Sequence, residues 1–115
     1  MLEPCELARS VFSEVRESFP ELAMRDSESE DGEPQLDISA QDGLVFDVAL
    51  YVYGDVLNLR AGQFWGEWLP CSRAQVVSEY TDAVSGLLSG RYRIVEHSRR
   101  GKIFKAVLQR PAGSG

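Results

Sequence analysis

At 115 residues and a formal net charge of −6, the chain is a single domain of ordinary size, long enough to bury a core without metals or disulfides as staples. A hydrophobic fraction of 43% and a charged fraction of 26% exclude wholesale disorder, and no apolar run approaches the roughly 18 residues of a spanning helix. Up to Gly90 there are 17 acidic and 5 basic residues, whereas from Arg91 onward 7 basic residues face the single Glu96. Nucleic acid is nevertheless not the expected partner, because the whole chain is acidic and phosphate would be repelled at distance.

The opening Met1-Leu2-Glu3-Pro4-Cys5-Glu6 is acidic and has no apolar stretch, unlike a secretory signal. Two cysteines far apart, Cys5 and Cys71, fit a reducing compartment better than a disulfide framework, so a cytoplasmic location is expected. From about Cys5 to Phe19, Leu7, Ala8, Val11, Phe12, Val15 and Phe19 recur at three- and four-residue spacing, which predicts an amphipathic helix. Pro4 suits its first position, and Pro20 opposes continuation. The stretch from Arg25 to Pro34 is acidic, lacks large apolar residues and is expected to be a mobile loop.

Alternation then takes over. Leu36, Ile38 and Ala40 alternate with polar residues, as do Leu44, Phe46, Val48, Leu50 and Val52, and finally Leu57, Leu59 and Ala61. Reading Gln41-Asp42-Gly43 as a three-residue loop sets Ile38 opposite Phe46 and Leu36 opposite Val48. A two-residue Gly54-Asp55 turn sets Val52 opposite Leu57 and Leu50 opposite Leu59. The other face then carries Asp47, Ala49, Tyr51 and Tyr53 against Gly62, Arg60, Asn58 and Val56, half polar as a solvated or partner-facing side would be.

Ser72 with Gln75 three residues later reads as a capping box before a second helix with the stripe Val76, Val77, Tyr80, Ala83, Val84, Leu87 and Leu88. Gly90 is placed to end it, and Gly86 inside it predicts a close approach of the helix to the sheet. Arg91 to Gln109 reads as a final hairpin around Arg99-Arg100-Gly101, with Ile94 opposite Ala106, Tyr92 opposite Leu108 and Glu96 opposite Phe104; residues 111–115 are expected to be a frayed tail. The predicted class is α+β: helix, three strands, helix, two strands, forming a mostly antiparallel five-stranded sheet with both helices on one face. This order, with the small size and acidic balance, resembles that of bacterial type III secretion chaperones. The helix that usually follows the last strand of that family has no counterpart here, and no motif of the family is present, so the resemblance implies no site residues.

Catalytic motifs are sparse. His97 is the only histidine, which excludes a His-rich metal cluster, and no phosphate loop, Cys-x-x-Cys or nucleophile elbow occurs. No cofactor is expected, and an enzyme is not the favoured reading. Cys71, beside a predicted helix start and near Arg73, is a candidate reactive thiol; the alternative is a small buried hydrophobe. The stretch Gly62 to Pro70 holds Phe64, Trp65, Glu67 and Trp68, and adjacent Phe64 and Trp65 cannot both face inward. Phe64, Trp65, Glu67 and Trp68, extended by Tyr51 and Tyr53, are the candidate binding residues, with lidding of the core as the alternative for the tryptophans. These features point to a non-enzymatic protein-interaction module, adaptor-like, immunity-type or chaperone-like, with a homodimer as one outcome. The alternative is a small-molecule binder or enzyme using a groove beside Trp65, Trp68 and the second helix, with Glu67, Cys71 or His97 as polar groups.

Overall fold

The computed structural model describes residues 3–99 and 102–109. Helix α1 spans Pro4–Ser18, with the proline in its first turn, and closes with the Phe19 N–H donating to the Val15 carbonyl at 3.1 Å. Five strands follow: β1 Arg25–Glu28, β2 Pro34–Ile38, β3 Val48–Tyr53, β4 Val56–Ala61 and β5 Phe64–Trp68. They pair in sequence order as an antiparallel five-stranded sheet. Helix α2, Ala74–Leu88, precedes a separate two-stranded hairpin of β6 Arg93–Arg99 and β7 Lys102–Gln109.

The predicted class therefore stands: α+β, with a five-stranded antiparallel sheet and both helices against it. Membership of the sheet differs from expectation. Two unanticipated strands, β1 and β5, complete it, and the final hairpin forms a sheet of its own. Half of the anticipated mobile loop is thus strand or strand-flanking chain. Arg25–Glu28 pairs with β2, and Ser29 to Glu33 forms the connecting turn. No apolar residue drives β1. Its Asp26 and Glu28 lie on the helix side, ion-paired with Arg16 and Arg9 of α1. Such exposed pairs contribute little energy individually, but they select a geometry, and charge on an edge strand also discourages pairing with other chains.

Period-two patterning places Leu36, Ile38, Val48, Leu50, Val52, Leu57, Leu59 and Ala61 on one buried face. Ala8, Val11, Phe12 and Val15 of α1 and Tyr80, Ala83, Val84, Leu87 and Leu88 of α2 join the same core. Burying a Leu or Ile side chain fully contributes roughly 1.5–3 kcal/mol, so this face dominates the stability of the fold. The β3–β4 hairpin has the expected register, Val52 opposite Leu57 and Leu50 opposite Leu59, around a left-handed Gly54. The β2–β3 register is two residues from the expectation: Leu36 lies opposite Leu50 and Ile38 opposite Val48. The reason is a longer connection, in which Gln41 and Leu44 bridge across Asp42-Gly43 before the chain reaches β3. A shift of two keeps every side chain on its predicted face.

Two further details depart from expectation. No side chain caps α2: Arg73 occupies the N-cap position, and Ser72 lies in the preceding turn. In the final hairpin Ile94 faces Leu108 and Glu96 faces Ala106, again offset by two, with an irregularity between His97 and Ser98. The predicted Arg99-Arg100-Gly101 loop lies partly, and the predicted frayed tail wholly, outside the described residues. Gly90 ends α2 with φ of 82°, as its position suggested. Among the described residues no helix is long and apolar enough to cross a membrane.

Candidate functional site

The face of the sheet opposite the helices carries two aligned rows of side chains, fixed by strand register. One row runs Arg25, Asp37, Ala49, Arg60, Trp65 across β1 to β5. The next runs Ser27, Gln35, Tyr51, Asn58, Glu67, and Tyr53 beside Val56 begins a third. Neither helix covers this face, because every inward residue that touches α1 and α2 alternates with one of these.

The aromatic cluster anticipated around Phe64 to Trp68 is divided by the sheet. Strand β4 turns at Gly62-Gln63 into β5, with Ala61 opposite Phe64, and alternation resumes without a bulge. Phe64 and Trp68 therefore point inward and pack against the core, half-buried. Trp68 meets Tyr80 edge to face, ring centroids 5.2 Å apart. Trp65 and Glu67 point to the open face, and Trp65 is 60% exposed. The open face also holds Tyr51, half-buried, and Tyr53, 71% exposed. No single groove can then hold Trp65, Trp68 and α2 together, because the two indoles lie on opposite sides of the sheet.

Asn58 is the residue that the sequence reading missed. It is only 2% exposed although it lies on the open face. Its side-chain carbonyl accepts from the Trp65 indole N–H at 3.1 Å, and its amide donates to the Val56 carbonyl at 3.2 Å. Its backbone carbonyl accepts from the Tyr80 hydroxyl at 2.8 Å. Burial pushes the Tyr80 hydroxyl well above its ordinary value, with Tyr51 adding to the effect, so Tyr80 stays a donor. Asn58 thus links an exposed indole on one face to the core on the other. The available signal was a lone amide in the middle of an apolar strand, diagonal to a tryptophan.

Charges on the open face are also ordered. Asp37 accepts from Gln35 Nε2 at 2.8 Å and from the Ser27 hydroxyl at 3.1 Å. Arg60 is exposed and has no ion pair among the described residues. Asp37, Ser39, Asp47, Ala49, Arg60 and Gly62 border an open depression of about 490 Å³, shallow rather than enclosed. Such a shape suits a flat macromolecular contact better than a small ligand, which is usually mostly engulfed.

Cys71 is 2% exposed. Desolvation pushes its thiol up from the ordinary value of 9.0 and the nearby Asp55 carboxylate adds to this, outweighing a backbone hydrogen bond that acts the other way. This environment is that of a small buried hydrophobe and gives the thiol no activation. His97 falls in β6 opposite Lys105. Among the described residues no three His, Cys, Asp or Glu side chains converge as metal ligands would. Comparison with family models, curated proteins and solved structures finds no match.

Proposed function

We propose that this protein is a non-enzymatic interaction module, of adaptor, immunity-type or chaperone-like character, that docks a protein on the open face of its sheet. The observation that carries this reading is the exposure of Tyr53 and Trp65 on a face that neither helix covers, with Trp65 held in place by a buried amide. Large rings left in water but restrained in orientation are the usual anchors of protein interfaces, because little side-chain entropy remains to be lost on docking. A cytoplasmic setting accompanies the proposal, supported by two unpaired cysteines.

Site-specific photo-crosslinking in cells tests it. A photoreactive residue at Tyr53 should give discrete protein adducts, whereas one at exposed Glu14 on the outer side of α1 should give none. No adduct from position 53 would overturn the reading, and a tightly retained metabolite in native mass spectrometry would then point to a small-molecule site instead.

A further inference from the structure

We infer that the open sheet face docks a second copy of this chain, through a two-fold axis that lies in the interface roughly along β3. This deepens the proposal above and rests on its reading of the face as a protein-docking surface.

The argument comes from the order of residues across the sheet. A two-fold axis along the central strand lays β2 of one copy over β4 of the other, and β1 over β5, while β3 meets itself. Residues of one row then meet their counterparts in the same row. Asp37 meets Arg60 of the second copy, and Arg60 meets its Asp37, so each dimer contains the pair twice. Arg25 meets the ring of Trp65, a cation over an exposed indole. In the second row Ser27 meets Glu67 and Tyr51 meets Tyr51, while Asn58 is buried beneath its own chain and takes no part. At the axis Ala49 meets Ala49, a small residue where the two backbones come nearest, with Tyr53 meeting Tyr53 towards one end and exposed Asp47 meeting Asp47 towards the other, a like-charge contact that weakens the association.

Within one chain the Asp37–Arg60 pair is not made, because β3 lies between them and two strand spacings amount to roughly 10 Å. Opposite charges at mirrored positions about the central strand are what a self-complementary face requires. An axis along the strands also gives the aligned packing, within about 30°, that twisted sheets adopt face to face. The scale is modest. Five strands about 4.8 Å apart and about 20 Å long give a footprint on the order of 400–500 Å², below the roughly 800 Å² per partner of a standard interface. The association is therefore weak and concentration-dependent rather than obligate.

Light scattering on charge-reversal variants tests the inference. The weight-average mass of the 12.8 kDa chain should rise to about one and a half times the monomer value as concentration reaches about 1 mM, where a dimer with a dissociation constant of about 1 mM is half-formed. Arg60→Asp alone and Asp37→Arg alone should each remain monomeric, because each then opposes like charges across the axis. An equimolar mixture should recover the dimer. In the mixed pair the two substituted side chains meet each other with opposite charge, and the native Asp37 of one copy meets the native Arg60 of the other. Since Asp37 also holds Ser27 and Gln35, a second pair guards against misfolding: Ala49→Glu and Ala49→Lys should be monomeric singly and dimeric when mixed. A wild-type monomer throughout the range, single variants as dimeric as wild type, or folded mixtures that fail to rejoin would each overturn the self-docking. In that event, adducts from position 53 with another protein would leave the docking reading standing, and their absence would remove both.

Discussion

The indole of Trp65 is held by the side-chain carbonyl of Asn58 at 3.1 Å, on the face of the sheet turned away from the helices. Because Asn58 is buried and its backbone carbonyl is fixed by Tyr80 from the other side, the exposed ring is tied to the core. Trp65→Phe keeps most of the ring but removes the N–H, leaving a buried carbonyl with one donor fewer. A loss of about 1–2 kcal/mol in denaturant unfolding is expected. Asn58→Ala should cost a similar amount, and the double variant less than the sum, since both remove the same bond.

Gly86 meets the ring of Tyr92 so closely that an added Cβ would lie 2.1 Å from Cδ2. Tyr92 is buried, donates its hydroxyl to Asp82, and receives support from the Gly86 carbonyl, which accepts its backbone N–H at 2.8 Å. Gly86→Ala gains about 1 kcal/mol of helix propensity but forces the ring away. A net destabilisation of about 1–3 kcal/mol follows, as for overpacked cores. Thermal unfolding checks it. In a Tyr92→Ala background the same change should become neutral or stabilising.

These two residues show which parts of the fold were legible in the sequence. Gly86 in an otherwise apolar helix stripe signalled a close approach; that the neighbour would be Tyr92 after the Gly90 turn, rather than the sheet, was set by tertiary packing. The alternation of β2 to β4 gave the correct faces throughout, because a register error of two residues leaves parity intact. Strand β1 was hidden, since its Asp26 and Glu28 are matched only by Arg16 and Arg9 one helix earlier. Strand β5 was hidden for the opposite reason: its aromatics looked like a broken pattern, when Gly62-Gln63 is a tight turn and Trp65 simply occupies the outward position. Of the candidate site, Trp65, Glu67, Tyr51 and Tyr53 share the open face. Phe64, Trp68 and Cys71 belong to the core side.

Alkaline pH should unfold the protein through Tyr80 and Cys71. Both are protonated when folded and titrate above their ordinary values of 10.0 and 9.0, mainly because burial disfavours the charged form. The unfolded chain releases these protons first, so stability is fully present below pH 9 and falls as pH rises past 9 and then 10. Tyr80→Phe removes the larger contribution. It should cost about 1 kcal/mol near neutrality, through the lost bond to the Asn58 carbonyl, yet flatten the decline above pH 10. Denaturant midpoints measured across this range would check both effects, and slow labelling of native Cys71 by a thiol reagent would accompany them.

The two tryptophans offer separate reporters of the two sheet faces. Trp68 packs edge to face on buried Tyr80, so Trp65→Phe should leave blue-shifted emission that acrylamide quenches poorly. Trp68→Phe should leave emission from Trp65 that is red-shifted and readily quenched in dilute solution, as 60% exposure requires. Raising the protein concentration should then protect Trp65 selectively, because Arg25 of a second copy would cover its ring, while Trp68 in the Trp65→Phe variant should not respond. Arg60→Asp, introduced beside Trp68→Phe, should abolish the concentration-dependent protection but leave the dilute spectrum unchanged. Emission from Trp65 that is already protected in dilute solution would show the ring to be covered within one chain, and the open face would lose its anchor.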